Sequence, residues 1–199
     1  MNDDHTHVQK FFTARAADWD SKFPDDDPAY AAAVGKLGLR AGDRVLDAGC
    51  GTGRALLPLR AAVGPSGAVL GMDLTPAMLQ AAVRAGRHRE GRLLLADVAA
   101  LPVRSQSLDA VFAAGLIAHL PRPAQNLREL ARVVRPGGTL ALFHPIGRAA
   151  LAARQGRQIT PDDLRAEHNL GPLLAGSGWH MASYVDEDAR FLALAVRGG

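Results

Sequence analysis

At 199 residues, 48% apolar and 22% charged, the chain has the size and composition of one ordinary globular domain, which excludes a disordered or fibrous polymer. Its net charge of +3 is spread without any block of like charges, which argues against a nucleic-acid surface, and its single cysteine, Cys50, excludes an intrachain disulfide framework or a cysteine-rich zinc site. Residues 1–20 lack the order of a signal peptide and no stretch nears the roughly 20 apolar residues of a membrane span, so a cytoplasmic protein with no membrane partner is expected.

Val8, Phe11, Phe12, Ala16 and Trp19 recur at helical spacing and predict a first helix over residues 5–22. Asp25, Asp26 and Asp27 precede Pro28, an acidic start with proline where its missing N–H costs nothing, and a second helix is predicted over 28–37, ended by Gly38. Apolar strands then alternate with helices: strands at 44–47, 68–73, 93–96, 108–114 and 139–143, and helices at 54–62, 76–87 and 123–134. Arg135-Pro136-Gly137-Gly138 reads as the turn into the fifth strand. A last helix is predicted from Thr160, with Pro161 at its first position, running towards Ser177-Gly178. Strands at 180–185 and 190–196 flank the acidic turn Asp186-Glu187-Asp188, a connection short enough to make them antiparallel. This rhythm predicts an α/β fold: a doubly wound, mostly parallel sheet with helices on both faces.

In open sheets of this kind ligands bind beyond the carboxyl ends of the strands. The first strand runs into Asp47-Ala48-Gly49-Cys50-Gly51-Thr52-Gly53-Arg54, whose glycines let the backbone approach a ligand closely. Such a turn alone is only a tight strand-to-helix connection. Its spacing is G-x-G-x-G, however, with Arg54 in the slot of the third glycine of the dinucleotide pattern, and no Gly-Lys-Ser/Thr follows. Asp47 before the turn has no use for a pyrophosphate. It suits a ligand with an ammonium and a sulfonium, such as S-adenosylmethionine (SAM). Asp73 ends the second strand, where a carboxylate can accept two hydrogen bonds from a ribose diol. Asp97 follows the third, placed to take the exocyclic amine of adenine with Val98 packing the ring.

These segments resemble the class I SAM-dependent methyltransferases, strongly over residues 41–148. Val45-Leu46-Asp47-Ala48-Gly49-Cys50-Gly51-Thr52-Gly53 is similar to that family's glycine-rich motif, and Gly71-Met72-Asp73-Leu74-Thr75-Pro76-Ala77-Met78 to its ribose-binding segment, with Leu74 and Met78 lining the adenosine pocket. Ala96-Asp97-Val98, Leu108–Ala114, His119-Leu120 and Arg135-Pro136-Gly137-Gly138 resemble its later segments. The flavour is that of the small-molecule branch typified by ubiquinone and menaquinone biosynthesis enzymes, in which the segment from Phe11 to Asp20 is like the helix that lids the cofactor. The resemblance implies a Rossmann-like seven-stranded sheet of order 3-2-1-4-5-7-6. It also implies one domain over 1–199: an N-terminal helical lid (1–40), a cofactor-binding core (41–148), and a C-terminal helix with an antiparallel pair (149–199). The cofactor-binding residues it implies are Asp47, Ala48, Gly49, Cys50, Gly51, Gly53, Asp73, Leu74, Met78, Asp97, Val98, Ala114 and Gly115. SAM is the implied cofactor and S-adenosylhomocysteine (SAH) its product.

The acceptor is less legible. Asn/Asp/Ser-Pro-Pro-aromatic, usual in enzymes that methylate amino groups of bases or protein glutamine, is absent after the fourth strand, where Ala113-Ala114-Gly115-Leu116 stands instead. A small-molecule acceptor is therefore expected, in a monomer or homodimer. Methyl transfer needs alignment more than acid–base machinery. His144 and His119, near the sheet edge, are candidate catalytic bases, against the simpler reading of strand-end histidines bonded to backbone. Phe12, Trp19 and Tyr30 read as lid or core aromatics. Arg148, Arg154 and Arg157 read as a solvated basic loop, or as holders of an acidic substrate. His5 and His7 are too loosely spaced for a metal, and none is expected. A SAM-binding sensor without transferase activity, and a nicotinamide oxidoreductase disfavoured by the glycine spacing, are the competing readings.

Overall fold

The structure, a computed structural model, describes residues 3–199, with side chains from Thr6 onward; His5 falls outside those side chains. Seven strands form one sheet: β1 (Arg44–Ala48), β2 (Ala68–Asp73), β3 (Arg92–Leu95), β4 (Leu108–Ala114), β5 (Val134–His144), β6 (Trp179–Glu187) and β7 (Arg190–Arg197). Their order is β3-β2-β1-β4-β5-β7-β6, with β1 to β5 parallel and β7 antiparallel to both its neighbours. This is the Rossmann-like sheet that the resemblance implied.

Successive strand residues point to opposite faces, so a strand buried on both sides is mostly apolar. β1 is: Val45 packs with Phe112, Leu56 and Leu59 on one face, and Leu46 with Val111, Leu127 and Leu130 on the other. The first face is covered by α3 (Asp27–Gly35) and α4 (Leu56–Val63), the second by α6 (Pro123–Val133) and α8 (Glu167–Ala175). Leu127 and Leu130 are fully buried, and truncating either to Ala would cost about 2–5 kcal/mol. Parallel register brings the carboxyl ends of β1 to β5 to one edge, with Ala48 beside Met72, Asp73 beside Leu95 and Ala114 beside Phe143.

Four predicted segments differ. The first helix is broken into α1 (Asp3–Thr13) and α2 (Trp19–Lys22) by turns over residues 14–18, and Asp20 within α2 binds Thr52, Arg54 and Arg87 on the core. Residues 135–138 are not a turn ahead of a strand but a bulge within β5. There the register slips between Leu108 and Ala110, Arg135 pairs with Asp109 at 2.6 Å, and Gly137 takes φ +76°. The last helix starts at Glu167 rather than Thr160. Asp163 spends its carboxylate on the backbone and guanidinium of Arg165, and the Asn169 side chain bonds the carbonyls of Pro161 and Asp163, which holds residues 160–166 in turns. The stretch read as a basic loop instead forms α7 (Arg148–Arg154), an alanine-rich run of high helix propensity. α5 (Pro76–Arg84) completes the helices.

Candidate active site

A cavity of about 520 Å³ lies over the carboxyl ends of β1, β2, β4 and β5, closed on one side by the N-terminal helices. Asp47 reaches it from the tip of β1. The side chain is 1% exposed, and its Oδ2 has no hydrogen-bond partner. Burial, together with the charge of Asp73, pushes its carboxyl up to about 8. A buried acceptor left unpaired is costly, so this atom marks a place where something else is meant to bind.

Beside it the turn from β1 is drawn tight by Cys50 N–H donating to the Met72 carbonyl (2.9 Å) and Gly53 N–H to the Cys50 carbonyl (2.8 Å). Gly51 has φ +55°, and a Cβ there would meet nothing within 4 Å: the backbone lies bare against open space. The N–H of Gly51 donates to Asp73 Oδ2 (2.9 Å) and that of Thr75 to Oδ1 (2.7 Å). Asp73 thus braces the glycine turn as well as facing the cavity, though burial still raises its carboxyl despite those bonds. Asp97, after β3, accepts from Ala99 N–H (2.8 Å). Burial with the neighbouring carboxylates pushes the Cys50 thiol well up, leaving it unreactive.

Most of the residues singled out in the sequence line this cavity: Asp47, Gly49, Cys50, Gly51, Asp73, Leu74, Met78, Asp97, Val98, Ala114 and Gly115, with His119, His144, Phe12, Trp19 and Tyr30. Ala48, Gly53 and Arg148 do not. Ala48 is fully buried in the core. A Cβ on Gly53 would meet Leu56 at 2.9 Å, so that glycine serves helix packing. Arg148 is spent on Asp186 (2.9 Å) and Asp163 (3.7 Å). Asn126 and Arg165 line the cavity without having been singled out, since each sits in a segment without a motif. The buried Oδ1 of Asn126 is likewise unpartnered. No group of three or more His, Cys, Asp or Glu side chains gathers as a metal site among the described residues.

The lid is fastened to the glycine turn. Asp20 accepts from Thr52 Oγ1 (2.7 Å), Arg54 Nε (3.3 Å) and an Nη of Arg87 (2.6 Å), while Arg54 also reaches Asp27 (3.0 Å). Phe12 and Trp19 pack with centroids 5.6 Å apart, and Phe12 meets the His119 ring edge-on at 5.0 Å. Gln9 Nε2 donates to the Leu74 carbonyl (2.9 Å). Across the cavity His144 Nδ1 lies 2.8 Å from the Ile146 carbonyl and 3.1 Å from the Ile146 nitrogen. The two contacts fit opposite tautomers, and the 2.8 Å one, with Nδ1 donating, is the form that leaves Nε2 as the basic nitrogen. Burial and the charge of Arg165 hold the imidazoles of both His144 and His119 below their ordinary value, hence neutral.

The family model described as a methyltransferase domain matches residues 46–142. Trans-aconitate 2-methyltransferase of Methylobacterium nodulans is 39% identical over 178 residues, 87% of this chain and 67% of that protein. The chain belongs to the class I SAM-dependent methyltransferases. Their cofactor is SAM. The ubiquinone/menaquinone biosynthesis C-methyltransferase UbiE of Syntrophotalea carbinolica is 40% identical over 56% of this chain and 48% of its own length. This methyltransferase chain spans 32%, 46% and 48% of the first three curated relatives it matches. A chain from the Haloferax volcanii complex of the Trm112 activator with a methyltransferase shares the fold, with a TM-score of 0.77 over 94% of this chain and 98% of that one, at 22% identity.

The site fits that cofactor. An unpaired buried carboxylate beside an open glycine turn matches an ammonium and is the wrong partner for a phosphate. Asp73 matches a ribose diol, and the apolar Val98 and Met78 match a purine face.

Proposed function

We propose that the chain transfers the methyl group of SAM to a small-molecule acceptor held between the glycine turn, the end of β5 and the lid. The observation that carries this reading is the orphaned Oδ2 of Asp47 beside the bare Gly51 backbone. SAM supplies a methyl carbon activated by its sulfonium: the acceptor's lone pair forms the new bond as the C–S bond breaks, and SAH leaves. Asp47 takes the ammonium of the amino-acid end, Asp73 the ribose hydroxyls, and Asp97 with Val98 the adenine. Leu74 and Met78 pack the nucleoside, and Ala114 and Gly115 floor the cavity towards the acceptor.

Within such a pocket the protein's work is alignment and exclusion of water. Phe12 and Trp19 close it from the lid, and Tyr30 packs on Phe143 at 5.2 Å to wall its far side. Where the acceptor must lose a proton, Nε2 of His144 is positioned to take it, because burial keeps that imidazole neutral. His119 is the second such group, held edge-on by Phe12.

Incubation with methyl-labelled SAM and a fractionated extract of small metabolites tests the reading. Label should move into a low-molecular-weight fraction, and SAH should bind while NADH does not. SAH binding with no transfer to any fraction would instead make the chain a SAM sensor, and a preference for NADH would overturn the reading entirely.

A further inference from the structure

The cavity is polarised along the strand order. Asp47, Asp73 and Asp97 stand on the side of β1, β2 and β3, whereas Arg154, Arg157 and Arg165 line it beyond β5. Arg165 is held most firmly. Its N–H and Nε donate to Asp163 Oδ1 (2.9 and 3.2 Å), one Nη donates to Oδ2 (3.1 Å), and its carbonyl accepts from Tyr184 Oη (2.8 Å). The side chain is only 15% exposed. Asp163 is shared with Arg148, which Asp186 also binds, so these four groups cancel in charge. Arg154 and Arg157, both exposed, then add positive charge at the mouth, opposed by Asp26 of the lid.

The Asp163 bonds occupy Nε and one terminal nitrogen of the Arg165 guanidinium, so the other terminal nitrogen takes no part in them. A guanidinium fixed in orientation and largely out of water is a strong, directional site for a carboxylate. The Gly51 and Gly53 N–H groups of the glycine-rich turn are already spent on Asp73 and on the Cys50 carbonyl, so that turn is no rival anion site. Between the two ends the wall is apolar, with Tyr30, Phe143, Leu151 and Phe191. Building on the methyltransferase reading, we propose that the acceptor is a small organic carboxylate with an apolar body, its charged group docked on Arg165 and gathered at the mouth by Arg154 and Arg157. His119 and His144 line the same cavity as Arg165, so an acceptor anchored there shares it with both imidazoles.

The probes are 2-naphthoate and its neutral isostere 2-naphthamide, titrated calorimetrically into the protein with and without saturating SAH. Naphthoate should bind about tenfold more tightly than the amide, as one charge-assisted pair implies. Arg165→Gln should abolish that preference and leave amide and SAH affinities unchanged. The double variant Arg154→Gln/Arg157→Gln, at exposed positions where folding is not at stake, should reduce the preference more mildly. Equal affinity of the two probes, no binding of either, or an equal loss for both in the double variant would overturn the proposal. Loss of SAH binding by the wild-type chain would instead sink the methyltransferase reading, while the naphthoate comparison without SAH still decides the carboxylate site.

Discussion

Along β1, β2 and β3 the cavity wall comes from residues that are neighbours in the chain as well as in space: Asp47 with Gly49 and Gly51, Asp73 with Leu74, Asp97 with Val98. From β4 outward it is assembled from His119 after β4, His144 at the end of β5, Arg154 at the end of α7, Arg165 ahead of α8 and Phe191 in β7. The first half is held by the backbone N–H groups of its own turn, Cys50 to the Met72 carbonyl and Gly51 to the Asp73 carboxylate. The second is held by side-chain donors, Arg148 Nε to the Asp186 carboxylate and Tyr184 Oη to the Arg165 carbonyl. A constant cofactor can be served by a local motif. An acceptor that varies from enzyme to enzyme is served by a patchwork whose parts change independently.

If the two halves act separately, a change in one should leave the other's ligand alone. His144→Gln should lower turnover by about a hundred- to ten-thousandfold, the usual worth of a positioned base, with SAH affinity unmoved. Burial and the nearby Arg165 charge depress this imidazole below its ordinary 6.5, so wild-type turnover should fall only as pH drops through that lowered value. The variant should lack that acid limb. A pH–rate profile of both proteins checks this, and an unchanged profile would remove His144 as the base.

A smaller effect is expected at the strap between the halves. Asp20→Ala removes the carboxylate shared by Thr52, Arg54 and Arg87 and leaves the buried Arg54 with Asp27 and the carbonyl of residue 20. Because Asp20 is about a third exposed, the loss should be about 1 kcal/mol after solvent screening. Hydrogen exchange should rise in α1 and α2 but not in the sheet. Uniform destabilisation would mean that the lid is part of the core rather than a strap.

What could be read from the chain alone follows the same division. β2 and β4 fall on the predicted residues, because each is a mostly apolar run, and the acid at the tip of β2 follows from that end. The break after α1 could not be read, since no glycine or proline marks residues 14–18 and the ties of Asp20 to Arg54 and Arg87 lie far away in sequence. The start of α8 was misplaced for a related reason: Pro161 and Asp163 look like a helix N-terminus, yet Asp163 is committed to Arg165 and Arg148. Arg148 looked available for substrate for want of any local sign of Asp186 on β6, and Arg165 went unnoticed because no motif surrounds it.

The account depends on a carboxylate at Asp47 kept unpaired until an ammonium arrives. In the folded chain this group holds its proton up to about 8, against 3.8 ordinarily, so the unliganded protein should lose stability as pH rises through that range. Thermal unfolding and SAH titration of Asp47→Asn, set beside the wild type at pH 8, test this directly. The variant should melt higher without ligand and bind SAH about a hundredfold more weakly. A variant that melts lower and binds SAH as tightly as the wild type would contradict the account.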